Sequence, residues 1–230
     1  MEKLSSYELI LKTLKEKSSM KQDVYDNTFQ AFKIMKSVAK QIVSDFKKEI
    51  ANIDKRIAIE YREKGEFEFE LRVAGDLLIF SMHTNVFEFD KNHQMWKNSY
   101  VKEDYARSFC GIINIYNFLN DSFVYNRMND LGYVIGRVFV NKENHYFIEG
   151  KRQLGFLYND FVHAVIDTKA IKAVLESTIL YCLNFDLFTP PFDAIKEVSV
   201  SDMQAASESM QIKTGKRLGF RFQVDSDEVD

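Results

Sequence analysis

The stretch EFEFELRV, residues 66–73, decides how the chain is read. Glu66, Glu68, Glu70 and Arg72 alternate with Phe67, Phe69, Leu71 and Val73, the period of two that lets a pleated strand wet one face and bury the other. Alternate side chains on one face stand roughly 6.5–7 Å apart, so the three glutamates do not close on one ion without help from a partner strand. The glutamate row is expected to be the solvated side of a half-buried antiparallel strand, not a metal or acid–base site.

Upstream the period is different. From Ser19 to Lys64 there is neither Gly nor Pro, and Tyr25, Phe29, Phe32, Met35, Ala39, Ile42, Phe46, Ile50, Ile53 and Ile57 recur every third or fourth residue. This predicts an amphipathic helix from Ser19 to Lys64, ended by Gly65. A short helix before it, over 5–17, starts on the Ser-x-x-Glu capping box of Ser5 and Glu8. A helix of about forty residues spans roughly 60 Å, more than a small domain, so it lies on its own sheet or pairs with a second chain. For the second case the seam is Phe29, Phe32, Met35, Ile42, Phe46 and Ile53.

Downstream, Ala74-Gly75-Asp76 turns the chain into a second strand, making 66–90 a hairpin with a ragged outer arm. A short helix is expected over 101–108. Residues 109–119 read as a central strand covered on both sides, and 133–140 with 145–148 as a hairpin around Asn141-Lys142-Glu143-Asn144. Asp167 caps a helix to about Asn184 that is apolar on most sides. A brief helix over 203–210 and a last strand over 217–224 precede a frayed acidic end. The fold class is α+β: an antiparallel sheet of roughly five to seven strands with helices packed on it, behind a long N-terminal helical arm. The arm is 1–64 and the α+β domain 65–230.

Composition narrows the function. The 230 residues include 20 Phe and 11 Tyr against 9 Gly and 2 Pro, a chain that packs large rings and spends little on irregular loops. A formal charge of -3 without a dense Lys/Arg block disfavours nucleic acid, and no run is long and apolar enough for a membrane span. The apolar run near residue 10 is too short and too charged for a secretion signal, and Cys110 and Cys182 lack a Cys-x-x-Cys spacing, so a cytoplasmic protein with reduced thiols is expected.

Catalytic spacings are missing. The four histidines, His83, His93, His145 and His163, show no metal-binding interval, no serine elbow or phosphate-cradling loop occurs, and no cofactor or metal is expected. An enzyme would have to assemble its site in space, with His83, His145, Glu68, Asp76 and Asp160 as the candidates. GKRQLGF at 150–156 and GKRLGFRF at 215–222 resemble one another, and if both edge one surface, Lys151, Arg152, Lys216 and Arg217 form an anion site. Trp96 is expected to plug a satellite core. The sequence therefore favours a non-enzymatic binding or regulatory module, dimeric through its N-terminal helix and taking a small anionic ligand or a protein partner. The alternatives are an enzyme with such an assembled site and a structural component of a larger assembly.

Overall fold

Ser5 opens the first helix as its capping box requires: its hydroxyl accepts the Glu8 N–H at 3.2 Å, and the Glu8 carboxylate takes the Ser5 N–H at 2.8 Å. In the computed structural model, which describes residues 5–128, 130–185, 189, 191–201 and 203–204, α1 (Ser6–Thr13), a π-helical turn (Leu14–Ser18) and α2 (Ser19–Ile53) run on as one helix of 48 residues. The expected second start at Ser19 is not there. Ser18 keeps helical dihedrals and makes no capping bond, because nothing in the sequence stops the helix and the wide turn absorbs the misfit.

The far end also differs from expectation. The helix stops at Ile53, not at Lys64, where Asp54 turns extended and its carboxylate takes the Arg56 N–H at 2.9 Å and the guanidinium at 2.6 to 3.1 Å. Residues 57–64 then leave the helix, and Ile59–Glu63 is the strand β1. An Asx turn followed by β-branched and aromatic residues competes successfully with the helical spacing of Ile57.

The sheet has seven strands, all paired antiparallel: β1 (Ile59–Glu63), β2 (Glu68–Val73), β3 (Asp76–Met82), β5 (Phe109–Leu119), β6 (Tyr133–Asn141) and β7 (Tyr146–Gly150) lie in that order, with the short β4 (Phe87–Glu88) also on β5. Between β4 and β5 come a 3-10 turn (Gln94–Lys97), α3 (Ser99–Glu103) and a second 3-10 turn (Tyr105–Ser108). After β5 come the short α4 (Asn120–Val124), then α5 (Gln153–Leu157), α6 (Thr168–Leu183) and α7 (Phe192–Ile195). Asp167 caps α6 through the Ala170 N–H at 2.7 Å. The last expected strand, 217–224, and most of the helix expected over 203–210 lie outside the described residues.

One face of the sheet is covered by α2 and α6. Phe69, Leu71, Phe80, Ile113, Ile115 and Val138 share a single core with Phe32, Met35, Ala39 and Ile42 of α2 and Ile171, Val174, Leu175 and Ile179 of α6. The Phe32 ring meets Phe69 at 5.5 Å, and Phe69 stacks on Phe80 at 4.6 Å. Each such ring or aliphatic chain, fully removed from water, contributes about 2 kcal/mol. Helix and sheet approach closely where Thr28, its hydroxyl bonded to the Val24 carbonyl at 2.7 Å, occupies the space a side chain on Gly111 would need. α6 is less enclosed than its composition suggests, since Leu180 and Leu183 are exposed.

A buried cation locks this arrangement. The Lys36 ammonium, on α2, donates to Glu63 Oε1 at 2.7 Å, the Gly65 carbonyl at 2.5 Å and the Glu66 carbonyl at 2.9 Å. Its three protons thus hold the β1–β2 turn beneath the helix. Glu63 also receives Lys40 at 2.8 Å and the Tyr61 hydroxyl at 2.8 Å.

On the second face, a smaller core of Met95, Tyr100, Val101, Cys110, Phe139, Phe147 and Phe161, with Phe89 and Trp96 against it, covers only the end of the sheet where β5 begins and β6 ends. Glu66 is exposed and Glu68 half-buried, as a wet row should be, but Glu70 is only 3 % exposed. The alternation placed it correctly opposite Phe69. That face is roofed at Glu70 by Lys64, whose ammonium lies 3.2 Å from the carboxylate.

Two outcomes follow for the lock. Lys36→Met leaves the Gly65 and Glu66 carbonyls without their donor and should cost about 2–4 kcal/mol in urea unfolding. Lys36, Lys40 and Tyr61 draw the Glu63 carboxyl from 4.5 down to about 2. A folded-state value depressed below the unfolded one stabilises fully above about pH 4.5 and is lost as pH falls towards 2. Glu63→Gln should therefore lose stability against wild type near neutrality, and the gap should shrink in urea midpoints taken between those limits.

Candidate functional site

A cleft of about 720 Å³ opens beside β7, between the loop carrying Asn92, His93 and Gln94 and the loop carrying Arg152, Phe156 and Asn159. Each wall has a local cause. On one side His93 caps the 3-10 turn that begins at Gln94, its Nδ1 accepting the Met95 N–H at 3.2 Å while its ring stacks on Phe89 at 4.6 Å. Because Nδ1 accepts, Nε2 carries the proton and donates to Glu149 Oε1 at 2.9 Å. The other Glu149 oxygen is bonded to Arg137 across the β6–β7 pair.

On the opposite wall the chain leaves β7 in a tight hook. Lys151 donates its N–H to the Ile135 carbonyl at 3.0 Å, and Arg152 takes φ 48° and ψ -128°, a backbone state that L-residues seldom hold. Gly155 then passes so close to Gly150 that any side chain on it would overlap the Gly150 carbonyl. The strained residue is one of those that line the cleft, the place where such strain is commonly found.

Chemically, the cleft is lined by amides, an exposed aromatic ring and the Arg152 side chain, with its imidazole and carboxylate bound to each other. Both His93 nitrogens are occupied, so it presents neither a base nor a metal lone pair.

The other sequence candidates are scattered. Arg152 lines the cleft and Lys151 is its neighbour, while Lys216 and Arg217 lie outside the described residues. His83 follows β3, with Nδ1 accepting the Asn85 N–H at 3.0 Å, and His145 stacks on Tyr100 at 4.7 Å beside the Phe161 carbonyl, so the two do not meet. His163 pairs with Asp160 on the surface at 3.1 Å. Asp76 is buried with the Asn117 amide 3.4 Å away. Cys110 and Cys182 are buried free thiols, and burial pushes the Cys110 thiol up. Trp96 lies against the smaller core, as expected of a plug, with Nε1 donating to the Asp90 carbonyl at 2.8 Å. Among the described residues no three His, Cys, Asp or Glu side chains gather as metal ligands, and no helix is long and apolar enough to cross a membrane.

The proposed seam is also redistributed. Phe32, Met35 and Ile42 are committed to the core of their own chain, Phe29 packs partly against it on Phe67 at 5.7 Å, and only Phe46 and Ile53 of that set are exposed. The sequence reading placed a helix over 5–17 but did not name it as a contact surface: every residue from Ser5 to Ser19 is exposed, including Tyr7 (70 %), Ile10 (58 %), Leu11 (38 %) and Leu14 (54 %). The signal was present as the capping box followed by three- and four-residue apolar steps.

The chain matches no protein-family model, no curated protein and no solved structure. The cleft itself yields a direct expectation. Gly155→Ala forces the hook away from Gly150 and should lower stability by about 2 kcal/mol, read as a shift in thermal midpoint, with faster amide exchange confined to the 150–159 loop.

Proposed function

We propose that this chain is a non-enzymatic interaction module that self-associates through its N-terminal helix, along Tyr7, Ile10, Leu11 and Leu14. The observation that carries the reading is that the first 13 helical residues, α1 and the π turn, bury no side chain although they hold an apolar stripe at helical spacing. The stripe is distinct from the one that meets the sheet. On unbroken helical spacing the stripe would run from Leu14 through Lys17 to Met20, but the wide turn at Leu14–Ser18 rotates the arm out of that phase, and none of its residues is buried.

A second copy suits this stripe by charge. In an antiparallel pair with its two-fold axis between Leu11 and Lys12, Glu8 stands level with Lys15 of the other copy twice over, on the flank of the stripe. The ligand-binding part of the reading rests on the Arg152 cleft, which supports a small anionic or amide-bearing ligand. Two buried free thiols support a reducing compartment, and we place the module in the cytoplasm. An enzyme is supported less, because the cleft imidazole has both nitrogens engaged.

Light scattering on the double variant Leu11→Glu/Leu14→Glu should return at most half the wild-type mass with unchanged helical circular dichroism, whereas Phe46→Glu/Ile53→Glu should leave the mass alone. A wild-type mass indifferent to the first pair of changes overturns the proposal.

A further inference from the structure

The two edges of the sheet are finished differently. At the β7 edge the outward N–H groups of Tyr146 and Ile148 are taken by the carbonyls of Ala164 at 3.0 Å and Tyr158 at 2.8 Å, so the edge is sealed by the chain itself. At the β1 edge no such cover exists among the described residues.

The phase of β1 is set by its bonds to β2. Ala74 donates to the Ala58 carbonyl at 2.8 Å and Lys64 to the Glu68 carbonyl at 3.3 Å, in a register that pairs Tyr61 with Leu71. Even-numbered residues therefore bond to β2, and Ile59, Tyr61 and Glu63 turn their N–H and C=O groups outward. Among the described residues no group accepts from or donates to them. Open backbone of this kind is a template for another strand.

We propose that β1 pairs antiparallel with β1 of a second copy about a two-fold axis at Tyr61, joining two seven-stranded sheets into one. The sequence IEYRE selects this register. With Tyr61 opposite Tyr61 and Ile59 opposite Glu63 as the hydrogen-bonded pairs, Glu60 stands opposite Arg62 and Arg62 opposite Glu60. These are non-hydrogen-bonded positions, where strands bring side chains closest, with Cα atoms about 4.5 Å apart. The neighbouring registers that keep the outward groups in phase set Glu60 on Glu60 or Arg62 on Arg62, and like charges directly opposite are unfavourable. Within one chain Glu60 already holds Arg62 at 2.6 Å and Arg72 at 3.3 Å, and with Glu60 37 % and Arg62 41 % exposed a facing copy would extend this charge network. Edge charges that would repel a foreign strand are complementary to themselves here.

This interface is independent of the helical seam and lies elsewhere on the molecule. A chain with both carries two different two-fold contacts, which close into a tetramer or run on as an open assembly. Five residues a side is a small contact, so its association is concentration-dependent.

The test uses the full chain carrying Leu11→Glu/Leu14→Glu, which leaves the edge as the one associating surface, followed by light scattering over roughly a hundredfold dilution. A reversible dimer is expected. Glu60→Arg alone and Arg62→Glu alone should each be monomeric, and an equal mixture should recover a heterodimer, since every facing pair is again of opposite sign. Ile59→Pro removes an outward donor without touching the ladder to β2 and should weaken the dimer at least about tenfold with the thermal midpoint nearly kept. A monomer at every concentration, or a dimer indifferent to the charge variants and their mixture, overturns the proposal. If the helix variants leave the wild-type mass unchanged, the seam has failed instead, and the same charge variants made in the unaltered chain still decide the edge.

Discussion

Burying an ammonium group is expensive unless each of its protons finds an acceptor, and Lys36 meets that condition with two backbone carbonyls and one carboxylate. Those acceptors come from the turn at 63–66, so the helix cannot sit at another height or angle over the sheet without stranding the charge. Hydrophobic contact alone would allow Phe32 and Met35 many near-equivalent positions. The lysine selects one, and from it follow the stacking of Tyr61 on Phe69, the neutralisation of Glu63 and the placement of β1 at the sheet edge. Specificity comes from the polar contact and most of the stability from the rings around it.

The sequence exposed the fold class because its two periods are clean: three- and four-residue steps before residue 53 and alternation in β2. It hid the point where one gives way to the other. Residues 54–64 contain no Gly or Pro, and only the side chain of Asp54, folding back on Arg56, marks the stop, a signal weaker than the continuing run of isoleucines. Burial of Glu70 was equally hidden, since alternation names the face but not what roofs it, and the Lys64 that does so lies six residues away across a turn.

The site was less legible than the fold. Arg152 was singled out for its charge and neighbours, and it does line the cleft, but the residues that give the cleft its walls, His93, Glu149 and Gly155, come from three separate segments with no spacing in common. His93 illustrates why a residue inventory misleads about chemistry. Its two nitrogens are engaged by a backbone amide and a carboxylate, so the imidazole is a fastening between a loop and a strand.

The close approach of Thr28 to Gly111 has a mechanical meaning. Only a glycine leaves room for the Thr28 side chain there, so the helix rests directly on the β5 backbone, and roughly 35 Å of helix runs from that contact to Ser5 at 1.5 Å per residue. Met20 and Val24 pack against Phe109 along the first part of that length, and over the exposed remainder, about 20 Å, a bend of about 5° at the π turn moves the tip by roughly 2 Å. A displacement at the π turn is thereby larger at the tip of the helix than at its root.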